Sequence, residues 1–174
     1  MEKEVKNRKI TVLLLVFIIS GIIGFVYETF FYRIEYGYFV KRGTSFGPWI
    51  PIYGFGGLFM ALITDKHKEN SFKVFIFSLL TAGTLEFLTG YYLFHVEHIR
   101  LWDYNTEMLN FGNIGGYICL RSILLFGISG IFLVNVLIPF LKKMIDKLPF
   151  RFIYLTSIIL SFVCIVDYIT NIII

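Results

Sequence analysis

Four ionisable side chains interrupt the long apolar runs of this sequence: Glu28, Glu86, Arg121 and Asp167. At the centre of a bilayer such a group costs about 2.5–3.5 kcal/mol or more, so it faces the interior of a helix bundle and pairs there. Carboxylates in that position can bind a cation or relay protons, and an arginine can hold an anionic headgroup or a carboxylate. Two interpretations stay open: a ligand-binding cluster, or an intramembrane staple in which Glu28 or Glu86 neutralises Arg121. Three carboxylates against one arginine leave acid in excess, which the staple alone does not explain.

Two segments between the apolar runs carry aromatic and polar residues that can complete such a cluster. Arg42 precedes GPWIPIYG at 47–54, where closely spaced prolines and glycines predict a rigid lead-in to the next apolar run. This stretch is either an anion cradle beside Arg42 or only a turn. The second segment contains the run WDY at 102–104, and tryptophans there and at position 49 are equally typical of an interfacial aromatic belt. The predicted ligand-binding residues are Glu28, Arg42, Trp49, Tyr53, Glu86, Trp102, Asp103, Tyr104, Asn110 and Arg121.

Metal, cofactor and nucleotide chemistry are not predicted for this chain. His95, Glu97, His98 and Asp103 crowd one segment, but their spacing matches no established ligand pattern, and surface histidines at a helix end are the favoured interpretation. Both cysteines lie inside apolar runs, where buried thiols are expected. The sequence contains no P-loop, no Gly-x-Ser-x-Gly motif and no dinucleotide-binding fingerprint, so ATP hydrolysis by this chain is not expected.

The composition indicates a membrane protein. Of the 174 residues, 57% are hydrophobic, 19% are aromatic and only 16% are charged. Soluble domains usually carry about 25% charged residues. The mean hydropathy is +0.75. A soluble globule of this size cannot hide so much apolar surface, and the composition also excludes a disordered or collagen-like chain. The basic residues form no stripe interleaved with aromatic residues, so a nucleic-acid partner is not predicted.

The apolar runs predict an all-α bundle that forms one integral membrane domain. A spanning helix needs about 20 mostly apolar residues. The predicted spans are about 10–31, 48–64, 72–94, 114–140 and 150–174. The second is short and interrupted by Pro51 and by glycines, so it is either a span or a broken, partly re-entrant helix.

The distribution of basic residues predicts the orientation. With five spans, Lys and Arg number eleven on the side of the N-terminus and four on the other side. Cytoplasmic loops carry the excess of Lys and Arg, so the N-terminus is expected inside and the C-terminus outside a plasma membrane. If the second segment did not cross, every later loop would lie on the opposite side of the membrane. The excess of Lys and Arg on the side of the N-terminus would then be lost.

Depth along the helices places the ionisable groups on one side of the bilayer. At 1.5 Å per residue, Glu28 lies about 27 Å along the first predicted span, Glu86 about 21 Å along the third and Asp167 about 25 Å along the fifth. Arg121 lies about 10 Å inside the start of the fourth. All four are therefore predicted in the outer half of the membrane, although the sequence leaves open whether Asp167 joins the cluster.

Several blocks of the sequence resemble one family of membrane proteins. The blocks together span about residues 20–130, and their order and spacing carry the resemblance. They are GFVYE at 24–28, the run from Arg42-Gly43 through GPWIPIYGFG at 47–56, Glu86 with Gly90, WDY at 102–104, NF at 110–111 and GYICL at 116–120. The chain resembles the ABC-transporter type IV (CmpB-like) family of bacterial membrane proteins. This resemblance implies a multi-pass protein with a permease-like role, and it supplies no substrate.

The sequence therefore predicts a permease-like transport component of the bacterial inner membrane. It would bind a small polar or amphiphilic ligand, or a lipid, at an outer-leaflet cluster of carboxylates and arginines, and it would borrow a separate ATPase or work with another membrane subunit. Two alternatives remain. A membrane enzyme acting on a lipid headgroup would use paired carboxylates as acid and base, but no nucleophile stands beside a base. A structural or regulatory membrane subunit would use the polar cluster to hold its helices together.

Overall fold

The chain folds into helices connected by two long segments of irregular backbone. The computed structural model describes residues 2–173, with side chains for residues 2–171. About 75% of the chain is helical, and no strand occurs in the described range, which confirms the all-α class. The helices are α1 (Glu2–Tyr36), α2 (Pro51–Thr64), α3 (Ser71–His95), α4 (Leu120–Phe132), α5 (Ile138–Lys147) and α6 (Phe150–Ile173).

Four helices are long and apolar enough to cross a membrane. They are α1, α3, the continuous helix Leu120–Lys147 and the stretch Phe150–Asn171 of α6. Helix α2 has only 14 residues, fewer than the roughly 20 that a full span requires. Four of the five predicted spans thus coincide with helices of spanning length, and the second does not. The last residue of the predicted fifth span, Ile174, lies outside the described residues.

Helix α2 is short because the segment before it folds back along α1. The backbone N–H of Ile50 donates to the carbonyl of Gly21 over 3.1 Å, so α2 starts beside the middle of α1. The two helices then run antiparallel, and Lys9 and Asp65 come within 3.6 Å of each other at the far end. Gly24 allows this close approach, because a Cβ atom there would overlap the ring of Tyr53. Pro51 suits the first turn of α2, where its missing N–H removes no hydrogen bond.

The predicted fourth span begins too early. The sequence places its start at Ile114, but the helix begins at Leu120. Gly115 and Gly116 have φ angles of +61° and +80°, left-handed values that glycine adopts readily and that end a helix. The N–H of Ile114 also donates to the carbonyl of Ile118 over 2.9 Å, which closes a turn. This apolar stretch is therefore a turn outside the helix, and Arg121 lies in the first turn of α4 rather than about 10 Å inside the span.

A π-helical segment lets the same helix continue beyond its predicted end. Leu133–Leu137 has π-type hydrogen bonding, in which the N–H of Ile138 donates to the carbonyl of Leu133. Pro139 follows directly, and a proline inside an α-helix has no N–H and clashes with the carbonyl four residues earlier. The widened turn accommodates Pro139, so α5 runs to Lys147 instead of ending near residue 140.

The helices alternate between two ends of the bundle. We call the end that contains Lys9 and Asp65 the basic end, and the opposite end, formed by segments 37–50 and 96–119, the loop end. Helix α6 packs mainly on α1, away from α3 and α4. The buried apolar core lies toward the basic end and includes Val16, Met60, Ala82, Leu137 and Leu141.

Candidate functional site

A cavity of about 210 Å³ lies between α1, α2, α3 and α4, under segment 96–119. One part of its wall is polar and carries three carboxylates, Glu28, Glu86 and Glu107, together with the guanidinium of Arg121. The other part extends toward the core and is apolar. The apolar wall is formed by residues that include Met60, Ala82, Phe132, Leu133 and Leu137. The cavity therefore has the shape and polarity to hold a molecule with a polar head and an apolar tail.

Glu28 forms an ion pair that ties α1 to segment 37–50. The Nε of Arg42 lies 2.8 Å from Oε2 of Glu28, and both side chains are about 15% exposed. The guanidinium also lies over the ring of Tyr32, 3.6 Å from its centroid. Burial lowers the pKa of Arg42, but Glu28, Tyr32 and Glu107 together outweigh it, and the pKa lies above its ordinary value. Arg42 is therefore charged and already neutralises Glu28.

A second ion pair joins segment 96–119 to α4. Nη2 of Arg121 lies 2.8 Å from Oε2 of Glu107, whose side chain is 4% exposed. Arg121 also donates to the carbonyl of Met108 over 3.0 Å, and its guanidinium lies 4.3 Å from the ring centroid of Phe31. Tyr32 donates a hydrogen bond to the other oxygen of Glu107. The staple interpretation is right that Arg121 forms a buried ion pair, but its partner is neither Glu28 nor Glu86.

Glu86 is the third carboxylate, and its surroundings differ from those of the other two. It is buried, with 7% of the residue exposed. The hydroxyl of Tyr104 donates to its Oε1 over 2.6 Å, and the hydroxyl of Ser122 lies 3.0 Å from its Oε2. Burial and the nearby carboxylate raise the pKa of Tyr104, so its phenol keeps the proton that it donates. Within residues 2–171, no Lys, Arg or His side chain forms an ion pair with Glu86.

Six of the ten predicted site residues line the cavity. They are Glu28, Tyr53, Glu86, Trp102, Tyr104 and Arg121. Arg42 adjoins the cavity through its ion pair with Glu28. The anion cradle beside Arg42 is not formed, because the N–H groups of Tyr53 and Gly54 point to the carbonyl of Ile50.

The other three predicted residues lie elsewhere. Trp49 packs against Gly21 and borders an apolar crevice between α1 and α6. Asp103 lies 2.7 Å from Nη1 of Arg100 in a partly exposed ion pair. Asn110 donates to the carbonyl of Asn105 over 3.4 Å at the surface. All three belong to segments whose path depends on tertiary contacts.

Asp167 does not line the cavity either. Its two carboxylate oxygens accept the backbone N–H groups of Phe46 and Gly47, each over 2.9 Å. The side-chain amide of Asn171 donates to one of them over 2.8 Å. Asp167 therefore fastens segment 37–50 to α6.

Glu107 is a residue of the site that the sequence analysis did not predict. It is one of several acids in a polar segment and lies outside every apolar run. Its only signal is its position three residues after Tyr104, within the same segment that carries the WDY block. The irregular backbone of segment 96–119 turns both side chains into the bundle, where each is about 93% buried or more.

The match to a known protein family covers most of the chain. The family described as putative ABC-transporter type IV matches residues 15–172. The chain belongs to this family. No curated protein and no solved structure matches it. In this member of the putative ABC-transporter type IV family, the matched range includes every residue of the polar part of the cavity.

The arrangement in this ABC-transporter type IV member defines what the cavity can do chemically. Two of the three carboxylates have an arginine partner, so the polar wall carries one acid beyond the number of its bases. Aromatic side chains that include Tyr27, Tyr53 and Trp102 line the cavity beside these groups. Membership of this family and the apolar helices around the cavity both fit a membrane protein related to transport.

Proposed function

We propose that this chain is a permease-like component of a membrane transport system and that it binds a small amphiphilic ligand in the cavity between α1 and α4. The observation that carries the proposal is the division of one cavity into a charged wall and an apolar wall. A purely polar solute would leave the apolar wall without a partner, and a purely apolar solute would make no use of the charged wall. An amphiphile satisfies both.

We further propose that the chain crosses a plasma membrane five times, with the N-terminus inside and the C-terminus outside. Segment 37–50 and α2 together lead from the loop end to the basic end, which supports a crossing even though α2 alone is short. At the start of α2 the irregular backbone is covered by protein, since Ile50 is buried against α1. In this orientation the charged wall of the cavity faces the outer leaflet.

A separate ATPase is the proposed partner. The family is named for ABC transporters, and the sequence has no P-loop of its own. The partner would contact the basic end, because ATP is hydrolysed on the cytoplasmic side. Affinity purification of the full chain from native membranes, after chemical cross-linking, tests this. We expect an ATPase subunit among the recovered proteins, and recovery of the chain without one contradicts this part of the proposal.

Ligand binding is tested by titrating the protein, in lipid nanodiscs, with three amphiphiles that share a hexyl tail. The probes are hexyltrimethylammonium, hexyl phosphate and hexan-1-ol, and empty nanodiscs correct for partition into lipid. We expect at least one probe to bind saturably. Its affinity should fall by about tenfold or more when the cavity is filled by the change Gly56→Leu. A Cβ atom at Gly56 would have only Leu85 within 4 Å, at 3.9 Å, so the larger side chain enters open space.

A matched control separates filling of the cavity from a general effect on α2. Phe59 lies on the same helix, is 41% exposed and does not line the cavity, so Phe59→Leu should leave binding unchanged. Absence of saturable binding for all three probes, or unchanged binding in Gly56→Leu, overturns the proposal. If Gly56→Leu lowers thermal stability with no separate loss of binding, the structural-subunit alternative is favoured. That alternative has one observation behind it, namely that both ion pairs join a helix to a loop.

A further inference from the structure

We propose that Glu86 exchanges a proton for the cationic head of the ligand, so that the substrate class of the cavity is a monovalent organic cation with an apolar tail. This inference rests on the proposed function, because it concerns the same cavity. It goes further by assigning the charge of the ligand, the residue that receives it and the coupling of binding to a proton.

The charge balance of the cavity leaves Glu86 without a counter-ion. Glu28 is neutralised by Arg42 and Glu107 by Arg121, with each ion pair at 2.8 Å. The partners of Glu86 are the neutral hydroxyl groups of Tyr104 and Ser122. An ionised carboxylate without a counter-ion is costly in a buried site, so Glu86 is protonated when the cavity is empty. A cation in the cavity supplies the missing charge and allows Glu86 to ionise.

The hydrogen bonds of Ser122 fit both protonation states of Glu86. Ser122 has one hydroxyl hydrogen and two neighbours that can accept it: the carbonyl of Cys119 at 2.9 Å and Oε2 of Glu86 at 3.0 Å. When Glu86 is ionised, Ser122 donates to it, and the carbonyl of Cys119 keeps its bond from the N–H of Ile123. When Glu86 is protonated, it donates to Ser122, which then donates to Cys119. A rotation of one hydroxyl therefore accommodates the exchange, with no movement of heavy atoms.

All other charged and titratable groups around Glu86 already have defined partners or hold their protons. Helix α1 contributes Glu28, paired with Arg42, and the phenols of Tyr27 and Tyr32. Helix α2 contributes the phenol of Tyr53. Segment 96–119 contributes Tyr104 and Glu107, and α4 contributes Arg121, which is paired with Glu107. Glu86 is thus the one acid on this wall, among the described residues, whose charge a ligand can balance.

The remaining wall suits the rest of such a ligand. Tyr53, Trp102 and Tyr104 line the cavity together with Glu86, and aromatic rings near a carboxylate attract an ammonium group. Below them, Met60 and Leu133 continue the cavity as an apolar channel for the tail. An anionic head would instead find no unpaired positive charge in the cavity, because both arginines are already paired.

The exchange is balanced in atoms and charge. When the cation enters, the O–H bond of the Glu86 carboxyl group breaks and the proton leaves to water, while the carboxylate stays in the cavity beside the cation. When the cation leaves, a proton from water restores the carboxyl group. One positive charge enters for each one released, so the net charge of the cavity stays constant, and no oxidant, reductant or other reactant is needed.

Calorimetric titration with hexyltrimethylammonium tests the proposal, because this quaternary ion carries no proton that can titrate. Titrations in buffers of different ionisation enthalpy report how many protons leave per bound ion. We expect a value near one at acidic pH, and an affinity that rises with pH by up to about tenfold per pH unit wherever Glu86 is protonated in the empty cavity. Hexan-1-ol should show neither effect.

Variants assign the proton to Glu86. In Glu86→Gln we expect proton release to vanish and the affinity for hexyltrimethylammonium to fall by about tenfold or more, while binding of hexan-1-ol persists. Glu86→Asp keeps the acid and should keep the proton release. The matched control is Glu35→Gln, since Glu35 accepts the N–H of Met108 over 3.0 Å and does not line the cavity, so all binding constants should stay unchanged.

Three results overturn this inference. One is binding of hexyltrimethylammonium to the wild-type protein without proton release or pH dependence, which decides the matter even if Glu86→Gln does not fold. Another is tighter binding of hexyl phosphate than of the cation. The third is unchanged proton release in folded Glu86→Gln. In each case binding of an amphiphile still supports the proposed function, whereas failure of all three probes to bind refutes the proposed function itself.

Discussion

The phenol of Tyr104 donates a 2.6 Å hydrogen bond to the carboxyl group of Glu86. Tyr104 comes from an irregular segment and Glu86 from the middle of α3, so this contact fastens segment 96–119 over the cavity. Both residues are buried, each about 7% exposed, so the hydrogen bond is shielded from bulk water. The segment is therefore a part of the wall and not a surface loop.

Removal of this hydroxyl group tests how much the contact stabilises the fold. In Tyr104→Phe, Glu86 loses a donor in a buried site, and we expect the free energy of unfolding to fall by about 1–2 kcal/mol. Thermal unfolding of the purified protein in detergent measures it. Tyr38→Phe is the control, because Tyr38 is 63% exposed and should leave the melting temperature unchanged. Equal melting temperatures for the wild type and Tyr104→Phe would show that the hydrogen bond does not stabilise the fold.

The buried pair of Arg121 and Glu107 gives a larger expected effect. Arg121→Met leaves Glu107 buried without its counter-ion, and breaking such a pair destabilises by about 3–5 kcal/mol. Adding Glu107→Gln should restore part of the loss, because the buried charge is then removed. Arg8→Met is the control, since it breaks an exposed pair with Asp146 that is worth at most about 1 kcal/mol. Additive losses in the double variant would contradict the pairing of Arg121 with Glu107.

Asp167 should hold segment 37–50 against α6. In Asp167→Asn, one of the two oxygens that accept the N–H groups of Phe46 and Gly47 is replaced by a donor. We expect faster amide hydrogen exchange in residues 37–50 and unchanged exchange in α3, as measured by mass spectrometry. Asp146→Asn is the matched change at an exposed acid and should leave hydrogen exchange in segment 37–50 unchanged. Equal exchange in this segment for wild type and Asp167→Asn would exclude the anchoring role.

Cysteine labelling in intact cells tests the proposed crossing by segment 37–50 and α2. With a membrane-impermeant maleimide, Asn105→Cys should react from outside, whereas Lys68→Cys should react only after the membrane is permeabilised. The native Cys119 and Cys164 are 1% and 4% exposed, so the parent protein gives a low background. Labelling of Lys68→Cys in intact cells would mean that α2 does not complete a crossing.

The sequence alone determined the all-α membrane class of the protein and the inward position of two of its acids, Glu28 and Glu86. Long apolar runs require helices in a membrane, because the bilayer offers no partner for an unpaired N–H or C=O group. Glu28 and Glu86 break these runs, and the cost of ionisable groups in lipid directs them inward. Their meeting in one cavity therefore follows from local pattern and rise per residue, as does the presence of Tyr53 beside them.

The tertiary structure alone decided the ion pairs and the path of the irregular segments. Arg121 pairs with Glu107 instead of the expected Glu28 or Glu86, because segment 96–119 turns back into the bundle. Trp49 lies outside the cavity for a similar reason, since segment 37–50 folds along α1 to reach Gly21. Hydropathy and helical period describe only regular elements, and they carry no information on how an irregular backbone satisfies its hydrogen bonds. Those bonds are made with residues distant in the sequence, so only the assembled bundle determines them.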